Sequence, residues 1–557
     1  MANASAHSVG LPTDSNPNIR QRIAATPDYD VWVAASAGSG KTKVLTDRVL
    51  RLLLPDPAGR WGGAAPHKIL CITFTKAAAA LMAIRVQNKL GEWAVMDEPA
   101  LYEDLEKLLG EPPTENVLSA ARKLFSTVLD VAGGLSIMTI HSFCQSTLGR
   151  FAIESGVTPG FTVLDESSAN DMLRQIVDDF IRTIESGNNQ ALEPVFARIA
   201  TYMDMDKLRE TLLAAMSKTR EVTEFLLSCG KQGIRDTIIE HLGYNPNLKA
   251  HDYMSQFLSE ISNEDLLYVA KTLGTAADTY KKSGQKLAEW LALSTAERGT
   301  NITMFRDALF TKEMGIRSIG KKLEASNPEV IEKISKAAEL YLILQDNLAV
   351  LRQAEQTSDL MAIVDICLTR YTSRKKERNA LDFNDLILKT RTLLESQNLE
   401  WVHYKMDEGI DHILVDEAQD TNAHQWEIIR RLSDEFLSGH GQDTRRRSLF
   451  VVGDEKQSIF SFHGADPEAF QTMRDFFAKR SEEANREFRP VSLETSFRST
   501  RPVLQLVDSV FKNADLTSRL GLPSGQTLTH YSYRDKAAGL VELWDPIIHE
   551  KADNKNK

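Results

Sequence analysis

Residues 35–42 read Ala35-Ser36-Ala37-Gly38-Ser39-Gly40-Lys41-Thr42. Small residues that end in Gly-Lys-Thr suit a loop that wraps an anion in backbone N–H groups. The lysine would reach the outer phosphates of a nucleotide, and the threonine hydroxyl would hold Mg2+. Such a loop needs two carboxylates elsewhere, one for the metal and one to activate water. Asp416 and Glu417, in DHILVDEAQDT (411–421), form a pair of that kind. Asp416 is the expected Mg2+ ligand and Glu417 the group that polarises the attacking water. The plainer alternatives are a Gly/Ser turn with a surface lysine and a solvated acidic turn.

The flanking residues decide against those alternatives. Val31, Trp32 and Val33 read as a short buried strand before the loop. Val44, Leu45, Val49, Leu52 and Leu53 recur at helical spacing after it, and Pro55 stops the run. The loop therefore opens a helix, whose N-terminus adds a positive dipole. Ile413, Leu414 and Val415 likewise run into Asp416 and Glu417, and Trp426, Ile429, Leu432 and Phe436 follow with helical spacing. Two more strand-then-polar units appear, with strands at Ile69–Ile72 and Leu449–Val452. Four such units predict a parallel α/β sheet whose strand ends gather in one crevice. Burial on both faces explains why the runs are apolar throughout rather than alternating.

Seven motifs in order carry a resemblance: ASAGSGKT (35–42), ITFTKAAAALM (72–82), TIHSFCQ (139–145), LDFNDLI (381–387), DHILVDEAQDT (411–421), VVGDEKQSIFSFHGADP (451–467) and LETSFRS (493–499). The chain resembles the superfamily 1 helicases of the UvrD/RecB type, and within them the AddA-type subunits of bacterial AddAB helicase-nucleases. The resemblance implies an α/β fold: a RecA-like parallel-sheet P-loop motor lobe with a large inserted all-helical subdomain and the start of a second motor lobe. It implies ATP and Mg2+ as ligands, with Gln21 reading the adenine edge. Gln457 is implied to sense the γ-phosphate, and Arg498 to reach it from the second lobe. For DNA it singles out Phe74, His141, Phe143, Phe460 and Phe462, whose rings offer faces to unpaired bases; packing in the core is the alternative for each. Thr73 and Ser142 would offer hydroxyls to backbone phosphates. Two positions depart from the family pattern: Leu81 where Glu is usual, and His463 where many relatives carry Arg.

The expected organisation is a flexible N-terminus (1–17), a first motor lobe in three pieces (18–95, 130–170 and 380–480), a helical insertion (96–129), an inserted helical accessory subdomain (171–379) and the start of a second lobe (481–557). Apolar residues at i, i+3, i+4 spacing in 169–187, 206–227 and 328–351 support the helical block. Two basic runs, Arg374, Lys375, Lys376 and Arg378 and then residues 444–448, are either phosphate contacts or solvated faces. Asp382 and Asp385 are expected to cap or brace a helix.

Composition narrows the class. With 557 residues, 42% hydrophobic and 26% charged, the chain is globular and multi-domain. A formal net charge of -11 argues against global attraction to nucleic acid and leaves only a local basic groove. Four cysteines lie far apart with no CxxC, so neither a disulfide framework nor structural zinc is expected. No signal pattern and no apolar run of about 18 residues is present, which predicts a cytoplasmic protein with no membrane span.

The expected function is an ATP-dependent 3′-to-5′ DNA helicase or translocase motor of double-strand break repair. Its partners would be single-stranded DNA, duplex DNA ends and an AddB-like nuclease subunit. After LETSFRS the family's later helicase motifs and nuclease are absent, so the chain reads as the N-terminal half of a longer protein. The alternative is a truncated fragment or scaffold that binds ATP and DNA without turnover. An unrelated phosphate-loop kinase fits poorly, because it has no use for strand-stacking aromatics.

Overall fold

Ten strands are found among the described residues: β1 (Asp30–Ala35), β2 (Ile69–Thr73), β3 (Ser136–Thr139), β4 (Thr162–Val163), β5 (Ala380–Leu381), β6 (His412–Val415), β7 (Ser448–Gly453), β8 (Phe488–Leu493), β9 (Thr495–Thr500) and β10 (Tyr531–Arg534). Six of them form one sheet in the order β3-β2-β6-β7-β1-β8. Every neighbouring pair in it is parallel. The computed structural model describes residues 16–131, 134–186, 193–230, 233–275, 278–312, 314–317, 326–395, 402, 405, 409–434, 436, 446–457, 467–512 and 529–545. The four strands expected from the sequence lie side by side as β2, β6, β7 and β1.

Alternate residues of each strand enter opposite faces of the sheet. Val31, Val33, Ile69, Cys71, Leu414, Phe450 and Val452 join one core, with α1 (Pro17–Ala25), α2 (Lys41–Leu53) and α3 (Lys76–Val95) packed on it. Trp32, Leu70, Ile72, Ile413, Val415, Leu449 and Val451 join the other. There Trp32 stacks on Trp426, with ring centroids 5.7 Å apart. Both faces are covered, so the strands carry no polar alternation.

An ion pair between buried Asp30 and partly exposed Arg486 pins the sheet at the start of β1. Asp30 accepts from Arg486 Nε and Nη2 at 2.8 and 2.9 Å and from the Leu449 N–H at 2.8 Å. Arg48, fully buried in α2, donates to the carbonyls of Thr26 and Tyr29 at 2.5 and 2.7 Å and ties down the end of α1, which carries Gln21.

The chain divides into two compact units, Met1–Val163 with Leu381–Lys557, and Leu164–Ala380. The first holds the parallel sheet. The second is mostly helical among its described residues, with an antiparallel bridge between Phe310 and Ile316 and the first residue of β5 at its end, and its longest helix runs Pro328–Glu377. It has its own cores, one built around Trp290, Phe305 and Tyr341 and one around Phe180, Leu212 and Tyr371.

Candidate functional site

β1 ends at Ala35 and α2 begins at Lys41, so Ser36–Gly40 form the loop between them. Gly38 and Gly40 have φ of +73° and +94°, a region other residues enter only at a cost. Space reinforces the requirement: a Cβ on Gly38 would lie 2.7 Å from Arg498 Cβ, and one on Gly40 would lie 2.6 Å from Gln21 Nε2. No side chain caps the α2 N-terminus, so its first N–H groups face the loop side without a side-chain acceptor. Ser39 Oγ is buried without a hydrogen-bond partner among the described residues.

The carboxylate pair sits at the end of β6. Asp416 is buried, and its Oδ1 accepts from the Glu417 N–H at 3.0 Å. Burial first, then the Glu417 charge, pushes the Asp416 carboxyl up to about 6. Glu417 has φ +49° and ψ +45°, a left-handed backbone that the surrounding contacts must hold. Its carboxylate accepts from Lys41 Nζ at 2.9 Å, and Lys41 Nζ also donates to Gln457 Oε1 at 3.4 Å. The loop, the β6 end and the β7 end thus meet at one lysine.

Two clefts of ligand size flank the loop. One of about 450 Å3 is lined by Gly38, Lys41, Thr42, Arg85, Glu417, Gln457 and Arg498. The other, of about 430 Å3, is lined by Arg20, Gln21, Ser39, Phe497, Tyr531 and Tyr533. Phe497 borders both, and Tyr533 lies against its ring at 4.7 Å. Gln21 reaches the second cleft, but its amide Nε2 donates to the Ser39 carbonyl at 2.8 Å and so braces the loop. Ala35, Ser36 and Ala37 complete the strand end and the loop. Ser36 donates its N–H to Leu493 O at 2.9 Å, and the Phe497 N–H donates to Gly38 O at 2.8 Å. These two bonds seat the segment bearing Arg498 directly on the loop.

The residues singled out for nucleic acid divide into two groups. His141 lies against Phe383 with ring centroids 4.8 Å apart, and Phe383 is 37% exposed. Phe74 is partly buried at the end of β2, and Ser142 Oγ shares a hydrogen bond of 2.9 Å with Thr139 Oγ1. Phe143, by contrast, is buried among Ile140, Leu148 and Leu386, and its ring offers no face for stacking. Thr73 is buried as well, and its hydroxyl donates to the Thr75 carbonyl at 3.1 Å. Phe460, Phe462 and His463 lie outside the described residues. Leu81 is 56% exposed on α3.

The basic runs are largely committed inside their own units. Arg374 pairs with Asp179 at 3.2 Å, and Lys375 is buried over the Tyr371 ring. Arg446 pairs with Asp28, and Arg447 lies over the Phe436 ring. Asp382 and Asp385 exchange reciprocal hydrogen bonds, Asp385 N–H to Asp382 Oδ1 at 2.8 Å and Asp382 N–H to Asp385 Oδ2 at 3.1 Å, and start the helix Phe383–Glu395.

Several site residues escaped the sequence reading. Arg85 lies one turn past the stretch 72–82, and only the register of α3 turns it toward the loop. Gln419 and Phe383 stand inside stretches already singled out, but nothing local separates a bridging amide or an exposed ring from its neighbours. Asp454, at the β7 end, is buried, and burial pushes its carboxyl upward.

Among the described residues no helix is long and apolar enough to cross a membrane. The family described as UvrD/REP helicase N-terminal domain matches residues 15–478. Relatives named as subunits of an ATP-dependent helicase/nuclease are similar along most of the chain. The protein from Lactobacillus helveticus is 26% identical, over 95% of this chain and 43% of its own length. That from Lactobacillus johnsonii is 28% identical, over 90% and 40%. That from Latilactobacillus sakei is 25% identical, over 89% and 55%. The chain therefore spans roughly two fifths to just over half of the length of these relatives. With a parallel α/β core, a glycine loop opening α2, a buried Asp416 and the adjoining Glu417 facing it and a family match over residues 15–478, the chain belongs to the UvrD/REP helicase family.

Proposed function

We propose that the site hydrolyses ATP and that the chain uses the energy to move 3′-to-5′ along single-stranded DNA in double-strand break repair. The observation that carries this reading is the ligand-sized cleft where Lys41, Glu417, Gln457, Arg85 and Arg498 meet the glycine loop at a helix N-terminus. The triphosphate would lie along the loop N–H groups, with the base in the cleft beside Gln21 and Phe497. Ser39 Oγ, buried and unpartnered among the described residues, is a donor available to such a substrate.

The donor set also fits Mg2+. A metal of this kind is held by one or two protein oxygens together with substrate phosphates, not by a full protein cage. Thr42 and Asp416 are the proposed ligands, and among the described residues no cluster of three or more His, Cys, Asp or Glu competes for a metal. When bound, the ion would neutralise phosphate charge and orient the outer phosphates.

The protein's own residues then divide the work. Lys41 leaves Glu417 for the outer phosphates, and the freed Glu417 accepts a proton from the attacking water. Arg498 and Arg85 oppose the charge that develops on the transferred phosphoryl group, where a rigid cation acts without reorganisation. Gln457 shares Lys41 with the carboxylate and so responds to the same displacement. Phe74, His141 and Phe383 are the proposed stacking surface for unpaired bases, with Ser142 on the backbone. The helical unit is the proposed accessory DNA-contacting subdomain inserted in the first lobe, and residues 481–557 begin the second lobe. In the cytoplasm, an AddB-like partner protein would complete the machine on duplex ends.

The test is ATP hydrolysis with and without single-stranded DNA, beside Lys41→Ala and Glu417→Gln. DNA-stimulated turnover lost in both variants is expected. ATP binding with no stimulated turnover would favour the binding-only alternative, and no ATP binding would refute the reading.

A further inference from the structure

We propose that Gln419 is a positioning residue of the hydrolytic site: its side-chain amide bridges the carboxylate of Glu417 to the backbone of Asp454, so that Glu417 and the turn bearing Gln457 are held as one unit. The inference rests on the hydrolytic role proposed for Glu417.

Gln419 is 1% exposed. Its Nε2 donates to Glu417 Oε2 at 2.8 Å, and its Oε1 accepts the Asp454 N–H at 2.8 Å. The partners dictate the orientation of the amide. An ionised carboxylate only accepts and a backbone N–H only donates, so a flipped amide would face both with the wrong group. The Asp454 carbonyl in turn accepts the Gln457 N–H at 2.9 Å. A continuous chain of hydrogen bonds thus runs from Glu417 through Gln419 and Asp454 to Gln457.

The surroundings leave room for this bridge. A Cβ on Gly453 would lie 2.8 Å from Gln419 Oε1 and 2.7 Å from the Phe470 ring, so only glycine lets the amide approach the β7 end. Glu417 holds a left-handed backbone with φ +49°, and its carboxylate is shared between Lys41 and Gln419. Once Lys41 turns to a phosphate, Gln419 is the donor that remains. It keeps the carboxylate aimed while a water is deprotonated, and misplacement by about 1 Å costs on the order of 100-fold in rate.

Two variants separate the halves of the bridge. Gln419→Leu removes donor and acceptor while filling the space. Gln419→Glu keeps an acceptor for the Asp454 N–H but removes the donor to Glu417. The readouts are steady-state ATPase in the presence of single-stranded DNA and hydrogen exchange of the Asp454 amide in nucleotide-free protein. The expected result is a kcat about 10- to 100-fold lower in both variants with KM for ATP within about threefold. Asp454 exchange is expected to be faster in Gln419→Leu alone. Unchanged kcat in folded Gln419→Leu would overturn the proposal, because a space-filling role is all that variant preserves. Unchanged Asp454 exchange in the same variant would overturn it too. If the unsubstituted chain shows no ATP turnover, the proposed function fails, while the exchange measurement still decides whether the bridge exists.

Discussion

Asp416→Asn is expected to abolish ATP turnover and to make the protein more stable. In the folded chain burial, reinforced by Glu417, raises this carboxyl from an ordinary 3.8 to about 6. The folded state therefore binds the proton more tightly than the unfolded state. Stability falls as pH rises from about 4 to 6, and the loss is complete at neutral pH. At 1.36 kcal/mol per pKa unit, the ionised carboxylate costs about 3 kcal/mol there. Asparagine carries no charge to desolvate and keeps an oxygen for the Glu417 N–H, but it brings an extra amide donor that needs a partner. The net gain is then about 1–3 kcal/mol at pH 7.5. For a chain of this size that is a rise of a few degrees in the thermal midpoint of the sheet-bearing unit. The assay is thermal unfolding of both proteins between pH 5 and 8, paired with ATPase at each pH. The charge contribution to the gain is expected to halve near pH 5 and to vanish once the carboxyl is protonated in both states, while the cost of the extra amide stays constant. A lower midpoint for the variant at pH 7.5, or a difference that does not vary with pH, would refute the reasoning.

Gly38→Ala forces a side chain into a left-handed backbone at about 1–2 kcal/mol and against Arg498. Equilibrium titration with a fluorescent ATP analogue is expected to show affinity down at least about tenfold. Arg486→Ala leaves Asp30 buried without its cation. Denaturant unfolding should show a loss of about 3–5 kcal/mol, and a loss under about 1 would mean that the pair does not anchor β1. Phe383→Ala removes the exposed ring beside His141 and is expected to weaken single-stranded DNA binding by about 1–3 kcal/mol while leaving DNA-independent ATPase unchanged. Fluorescence anisotropy with a labelled oligonucleotide reads the first effect, and unchanged affinity would remove Phe383 from the proposed stacking surface.

Much of the sheet was legible because its signals are local. Val31–Val33, Ile69–Ile72, Ile413–Val415 and Leu449–Val452 are short apolar runs bounded by polar residues, and each is a strand of one parallel sheet. The glycine loop and the Asp-Glu pair were legible for the same reason, since strand, loop and helix are contiguous in the chain. The capping exchange between Asp382 and Asp385 spans only three residues and followed from side-chain chemistry. Phe143 and Thr73 show the limit. Motif position suggested nucleic-acid contact, but helix register turns the Phe143 ring into the core, and the Thr73 hydroxyl is spent on its own turn.

The sequence by itself determined which segments become strands, where the loop must bend through left-handed glycines, and which residue types could hold a phosphate, a metal and a proton. Only the tertiary structure decided who meets whom. Lys41 and Glu417 are 376 residues apart and lie at 2.9 Å because the strand order places β7 beside β1 and β6 next to β7. Arg85, Gln419 and Phe383 acquire their places the same way, and the basic run at 374–378 loses members to partners inside its own unit. Periodicity and turn chemistry act over a few residues. Strand order, helix register and burial are fixed by packing between segments far apart in the chain, and no local pattern carries that information.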